Sequence, residues 1–403
     1  MKTIYTKEVA PAAEILRQGG LCAVPTETVY GLAGNGLSPE TVEEIYAVKD
    51  RPARKPLSLM VPDAGAFSRC GVEVPEAAYV LAEKFWPGPL TIVVKAAKNI
   101  PGVVLSGGDT VGLRCPDHPL TLALLRELDF PLAAPSANPS GAPSPKTEEE
   151  VGAYFDGKIG CILCGGKCGL GRESTIIDLS ETPYRILRQG ALPEADIFTA
   201  LRDKMTILGF TGGTGCGKTT ALGVVREMGG CVIDCDAVYH ELLEDCAPML
   251  AELKAAFPAA FTGDTLDRKA LGRVVFADEE KLETLNRITH HYVRIRVEEI
   301  LLDCCKNGVT LAAVDAIALI ESGLSGKCRA VVAISAPLET RVKRLMARDG
   351  ISEEYARLRI AAQKPEAFFR ENSDVFLVND GSEAAFLEKC RSAFAQIVST
   401  RKE

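Results

Sequence analysis

Eight consecutive residues, Gly212-Gly213-Thr214-Gly215-Cys216-Gly217-Lys218-Thr219, carry the spacing G-x-x-x-x-G-K-[ST]. That spacing suits phosphate chemistry. Glycines let backbone N–H groups turn inward around anionic oxygens, and a helix that starts at Lys218-Thr219-Thr220 adds its positive end. Lys218 reaches the outer phosphates, and the Thr219 hydroxyl is placed to hold Mg²⁺. A second set is basic: Lys49, Arg51, Arg54 and Lys55 put four cations into seven residues, stiffened by Pro52 and Pro56. Such a run is either a solvated charge cluster or a clamp for a polyphosphate. A third set is acidic. Asp234 and Asp236 stand one residue apart, and Asp315 precedes Glu321 by six.

These groups act only if elements hold them. The apolar residues 207–210 predict a strand running into the glycine loop, and residues 220–225 predict the helix after it. Residues 231–233 predict a strand with Asp234 and Asp236 at its carboxyl end, where open α/β sheets do chemistry. The same two carboxylates could instead cap a helix over residues 237–243. A buried strand over 309–314 ends at Asp315, which either supports Mg²⁺ or closes a loop. Residues 330–335 predict another strand. The helix after it carries Arg341, Arg344 and Arg348, either a solvated face or a lid. Arg359-x3-Gln363 follows, and a late strand over 375–378 ends in Asn379-Asp380-Gly381.

The first half has no such loop. Residues 9–18 predict an amphipathic helix stopped by Gly19-Gly20, and residues 21–24 a strand leading into Pro25-Thr26-Glu27-Thr28-Val29-Tyr30-Gly31-Leu32. A helix over 39–48 delivers the basic run. Phe85-Trp86-Pro87-Gly88-Pro89 makes a stiff turn into a strand over 91–95. Strand followed by polar ending then recurs at 110–114, at 133–138 with 140–144, and at 172–178, before 184–188.

Composition narrows the class. The 403 residues are 47% hydrophobic and 25% charged, ordinary for a globular protein of two or three domains. Residues 1–203 hold 20 Lys+Arg against 25 Asp+Glu, and the remainder 26 against 29, giving −8 in all. Neither half is a bulk polyanion binder, though a local basic cleft is compatible with both. The N-terminal residues lack a signal-peptide apolar core, and no apolar run approaches membrane-spanning length. Free thiols in a cytoplasmic protein without a membrane segment are the expectation for the 14 cysteines. Cys161-x2-Cys164-x3-Cys168 has no second Cys or His pair nearby to complete a four-ligand metal site.

Several of these stretches, taken in order, resemble a known family. Pro25 to Leu32, Lys49-x-Arg51-Pro52, Trp86 to Thr91, Ser136-x-Asn138 with Ser140-Gly141, and Glu173 to Asp178 are similar to the YrdC/Sua5 family of threonylcarbamoyl-AMP synthases. The resemblance covers residues 5–193. It implies a twisted, mixed α/β sheet with a concave, positively lined cleft. The implied reaction takes L-threonine, bicarbonate and ATP to threonylcarbamoyl-AMP and pyrophosphate, for modification of an adenosine in certain tRNAs. It also implies roles. Lys49, Arg51 and Lys55 would face the ATP phosphates, Lys49 and Arg51 as the catalytic cations. Thr110, Ser136, Asn138, Ser144 and Arg188 would complete the nucleotide site. Thr28, Arg114 and Ser174 would hold threonine. Where some members carry a threonine-contacting histidine, this chain has Met60.

The second half resembles dephospho-CoA kinase. The glycine loop, Asp234-x-Asp236, Leu266-Asp267-Arg268, Ile288-Thr289-His290, Asp315 with Glu321, Arg344-x3-Arg348-Asp349-Gly350 and Ala362-Gln363 carry the likeness. It implies a P-loop NTPase three-layer α/β/α fold with a parallel sheet and helical lid and acceptor segments. The implied reaction is γ-phosphoryl transfer from ATP, with Mg²⁺, to the ribose 3′-hydroxyl of dephospho-CoA. Gly213 to Thr220 with Arg348 would bind ATP. Lys218, Asp234 and Arg344 would be catalytic, and Thr219 and Asp315 would hold Mg²⁺. His291, where the family usually has Pro, and residues 316–320 depart from its pattern. The expected domains are 1–203 and 204–403, and tRNA or tRNA-modification proteins are candidate partners. The competing expectation makes the first half a non-catalytic tRNA or double-stranded RNA binder and the second another small-metabolite P-loop kinase.

Overall fold

The computed structural model describes residues 2–50 and 55–400. Arg51 and Arg54 lie outside the described residues. The chain divides into two compact units, residues 1–203 with 306–308, and residues 204–305 with 309–403.

The first unit is built on a ten-stranded mixed sheet. Ile4–Thr6 and Cys22–Val24 flank Cys161–Leu163 in parallel, and Gly31–Asn35 turns back antiparallel to Cys22–Val24. Across Leu132–Ala133 the sheet continues to Ser58–Met60, which runs parallel to Thr110–Arg114. Leu90–Lys95, Thr175–Asp178 and Arg185–Arg188 complete it. Alternation sets the faces: Leu59, Leu113, Ile92 and Ile177 are fully buried. On the Cys22–Val24 side, the helices Val9–Arg17 and Pro119–Glu127 press Ala12, Leu16, Leu124 and Leu125 against Val24 and Leu163. The helix Pro39–Val48 starts as expected from its residues. Ser38 accepts the Thr41 amide at the N-cap, and Pro39 fills the first turn, where no amide bond is lost.

The second unit carries a five-stranded parallel sheet in the order Cys231–Asp234, Leu311–Asp315, Thr206–Thr211, Ala330–Ser335, Val375–Val378. The inner strands are near-continuous apolar runs, as burial on both faces demands. Thr206–Thr211 and Ala330–Ser335 are buried at every position. The helices Lys218–Glu227 and Glu383–Ser399 contribute Leu222, Val225, Phe386 and Phe394 to the core over Leu208 and Phe210. Phe210 and Phe394 meet edge to face, with ring centres 5.5 Å apart. Each fully buried ring of this kind contributes about 1.5–3 kcal/mol by leaving water. Parallel connectivity places all five carboxyl ends on one edge, so the glycine loop, Asp234 and Asp315 share it.

Candidate active sites

In the first unit a cleft of about 250 Å³ is lined by Thr28, Met60, Thr91, Arg114, Ser136, Glu173, Ser174 and Arg188 among others. Its floor begins where Cys22–Val24 runs into Pro25. Thr26 Oγ1 accepts the amides of Thr28 at 3.1 Å and Val29 at 3.2 Å and donates to the Val29 carbonyl at 2.6 Å. This hydroxyl-closed turn fixes Thr28, which is fully buried. Thr28 Oγ1 then accepts from Arg114 Nη2 at 2.9 Å.

Arg114 ends the strand Thr110–Arg114 and is almost wholly enclosed. The same Nη2 meets Glu27 Oε1 at 2.8 Å, and Nε reaches the Gly88 carbonyl at 3.3 Å. Glu27 is itself anchored, its Oε2 accepting the Asp117 amide at 3.0 Å. Opposite, Ser174 shares a 2.8 Å hydrogen bond with Thr91, and Arg188 donates to the Ser174 carbonyl at 2.8 Å. Ser144 donates to Glu173 at 2.8 Å, which holds the Glu173 carboxyl below its ordinary range. Gly190 is pressed so closely on the residues leading into Thr175–Asp178 that a Cβ there would lie 2.3 Å from the Ser174 carbonyl carbon.

In the second unit the glycine loop leaves Thr206–Thr211 with Gly212, Gly215 and Gly217 at φ +133°, +75° and +100°. A side chain is strained there, so the glycines are required by conformation. Three later segments hold the loop. Arg341 Nε donates to the Thr214 carbonyl at 2.9 Å, and its Nη2 to Gln363 Oε1 at 2.8 Å. Gln363 Oε1 also accepts the Thr214 amide at 2.9 Å. Arg344 Nη1 reaches the Gly215 carbonyl at 3.2 Å, and the buried Asn379 amide the Cys216 carbonyl at 3.0 Å.

Lys218 Nζ stands 3.2 Å from Asp315 Oδ1. The Lys218 ammonium is thus the charged partner of that buried oxygen. Burial pushes the Asp315 carboxyl up, against the pull of Lys218. Asp234 pairs in register with Asp315 on the neighbouring strand. Its Oδ1 accepts the amides of Asp236 and Ala237 at 2.9 and 3.1 Å, capping the helix Cys235–Asp245. Capping and placement at the sheet edge are thus both true of Asp234. Among the described residues no three His, Cys, Asp or Glu side chains form a metal-binding group. A cation here would instead rest on the Thr219 hydroxyl, Asp315 and substrate phosphates. Hard oxygen donors of this kind, a hydroxyl and a carboxylate, fit Mg²⁺.

Residues 14–190 match the Sua5/YciO/YrdC family model, described as telomere recombination, and residues 206–385 match the CoaE model, described as dephospho-CoA kinase. A threonylcarbamoyl-AMP synthase of Pyrococcus abyssi is 46% identical over 46% of this chain and 55% of its own length. A provisionally named threonylcarbamoyl-AMP synthase of Methanocaldococcus jannaschii is 36% identical over 45% of this chain and 84% of its own. A dephospho-CoA kinase of Corynebacterium jeikeium is 39% identical over 46% of this chain and 96% of its own. The chain belongs to both families, one half to each. It spans only about half the length of the longer synthase relatives, 52–55%.

The Sua5/YrdC-family unit brings Thr28, Arg114, Ser136, Ser174 and Arg188 to one cleft, with Met60 at its wall. It does not bring the rest of the expected set. Lys49 caps the helix Pro39–Val48 and is buried, its ammonium donating to the Ser136 and Asn138 carbonyls rather than standing in an exposed basic run. Lys55 is exposed, and Arg51 lies outside the described residues. Asn138 turns its amide to the Ala142 carbonyl, leaving a buried Oδ1 with no described partner. Ser144 approaches the cleft only through Glu173. Thr110 begins the strand that Arg114 ends, about 13 Å away at strand spacing.

The kinase-family unit gathers Gly213 to Thr220, Asp234, Asp315 and Arg344 at the sheet edge. Arg348 does not join them. It pairs with Asp349 at 2.7 Å, and with Arg359 it holds that carboxyl down at about 2. Arg341, Gln363 and Asn379 grip the loop instead. The sequence put Arg341 on a helix that is either a solvated face or a lid, and Gln363 and Asn379 in quoted stretches, but it assigned none of the three to holding the loop. Glu27 and Glu173 were likewise inside the quoted motifs and given no task. For Glu27 the signal was a carboxylate between two threonines, Thr26 and Thr28.

Proposed function

We propose that residues 1–203 and 204–403 are two separate enzymes, a threonylcarbamoyl-AMP synthase and a dephospho-CoA kinase. The observation that supports the first is the convergence of Arg114, Thr28 and Ser174 on one cleft. An enclosed guanidinium with two hydroxyl-bearing neighbours suits an amino acid's carboxylate and hydroxyl. The threonine amine takes up CO₂, supplied by bicarbonate, as a carbamate. A carbamate oxygen then attacks the α-phosphorus of ATP and pyrophosphate leaves. No protein nucleophile is required. The unit's work is to neutralise the triphosphate with Arg51, Lys55 and Arg188, orient both substrates, and keep water from the carbamate. Lys49 acts through the Ser136–Asn138 backbone, which it ties beside the nucleotide. The product serves the threonylcarbamoyl modification of tRNA.

For the second unit the carrying observation is Asp234 in register with Asp315, whose carboxylate meets Lys218 across the glycine loop. Asp234 orients the ribose 3′-hydroxyl and accepts its proton as oxygen attacks the γ-phosphorus. Lys218 and Arg344 hold the charge that spreads over the transferring group. Thr219 and Asp315 would hold Mg²⁺, which when bound neutralises phosphate charge. Dephospho-CoA and ATP enter, and coenzyme A and ADP leave.

Paired assays on the intact chain test both readings. Pyrophosphate release must require threonine and bicarbonate together. ADP formation must favour dephospho-CoA over AMP and nucleosides. Pyrophosphate release indifferent to threonine would refute the synthase, and equal ADP from AMP would refute the kinase assignment.

A further inference from the structure

The first unit holds a second cavity, larger than the cleft, at about 570 Å³. Its lining shares no residue with that of the cleft. The size lies in the range that takes a small organic ligand. Two stretches of chain form most of it. Residues 61–70 supply Asp63 and Arg69, and residues 125–131 supply Arg126 and Asp129. Between them the walls are apolar, including the buried Val61, Leu125 and Leu128.

The charged groups are not consumed by the fold. Arg69, Arg126 and Asp129 make no hydrogen bond or ion pair with any described residue. Asp63 spends one oxygen, Oδ1, on the Gly65 amide at 2.8 Å. Each stretch therefore offers one cation and one anion over an apolar floor. A simple anion would meet two carboxylates here, and a simple cation two guanidinium groups. A purely apolar molecule would bury its body but pair with neither charge. A molecule carrying both signs on an apolar body satisfies every part of the lining.

We propose that this cavity is a binding site for a zwitterion with an apolar side chain, of the free amino-acid type. Its carboxylate pairs with the arginines, its ammonium with Asp63 and Asp129, and its side chain lies on the Val61–Leu125–Leu128 surface. The site is independent of the synthase reading, because none of its residues serves the cleft.

Calorimetric titration of the full chain with L-leucine and L-phenylalanine tests this. N-acetyl-L-leucine, which lacks the ammonium, and L-leucinamide, which lacks the carboxylate, separate a free amino acid from a peptide end. Saturable binding of leucine or phenylalanine is expected, with both blocked derivatives weaker by about tenfold or more. Arg126→Ala and Asp129→Asn alter exposed side chains, so the fold survives, and each should weaken binding by about tenfold. No binding heat from either amino acid at millimolar concentration would overturn the proposal. Equal affinity for the blocked derivatives, or binding untouched by both substitutions, would overturn it too.

Discussion

Glu27 and Arg114 pair at 2.8 Å with side chains only 14% and 9% exposed, on the floor of the cleft proposed to take threonine. The pair does more than neutralise. Glu27 is fixed by the Asp117 amide, so it sets the guanidinium plane rather than following it.

Removing Glu27 leaves an enclosed arginine without its counter-charge, a change that costs about 3–5 kcal/mol when complete. Glu27→Ala is therefore expected to lower the unfolding midpoint and raise the threonine KM by about tenfold or more. The ATP KM should move little. Glu27→Gln, which keeps an acceptor in place, should recover much of the threonine affinity. Equal threonine KM values for wild type and Glu27→Ala would show that Arg114 holds its position unaided.

Gly190 has an ordinary φ, yet its Cβ would sit 2.3 Å from Ser174 carbon and 2.4 Å from the Glu173 carbonyl oxygen. Gly190→Ala must push the Glu173–Ser174 backbone away, at about 1–3 kcal/mol. Denaturant unfolding should show a lower midpoint for the first unit, together with weaker threonine binding as Ser174 shifts. An unchanged midpoint would mean the segment retreats freely.

Lys218→Ala is expected to cut dephospho-CoA phosphorylation by about a thousandfold or more, because its charge acts on the transferring phosphoryl group. Pyrophosphate release by the first unit should be unchanged. Loss of both activities in a folded variant would contradict separate sites.

His118 gives the first unit a pH dependence with a definite sign. Burial holds its pKa below the ordinary 6.5, and its Nδ1 has no described partner. The folded state thus binds a proton less readily than the unfolded chain. Its contribution is fully present above pH 6.5 and is lost as pH falls through the depressed value. Thermal midpoints should drop between pH 7 and pH 5, and His118→Asn should flatten that slope. An identical slope in the variant would assign the effect elsewhere.

How much of this was legible in the residues depended on distance along the chain. The glycine loop could be read because its whole geometry is local: three positive-φ turns and a helix start within eight residues. The strand over 330–335 was legible because double-sided burial leaves an unbroken apolar run. Lys49 was misleading for the opposite reason. It stands beside three other cations in sequence, but the last turn of its helix aims it at carbonyls 87 and 89 residues away. Arg341, Arg344 and Arg348 share one helix, and spacing alone did not say which would find the loop. Asp349, next to Arg348, captures that side chain. Asn379 and Gln363 act on backbone atoms far earlier in the chain, and no spacing rule reports such bonds.

The grip of Asn379 on the Cys216 carbonyl also orders events in time. The two residues are 163 positions apart, roughly 8–33 s of ribosomal elongation. Until the later one emerges, the loop lacks a bond that shapes its final turn. A nascent chain can therefore complete its first sheet, whose strands end at Arg188, well before its phosphate loop is finished. The loop that opens the second unit is thus among the last of its parts to be completed, although it is among the first to be translated.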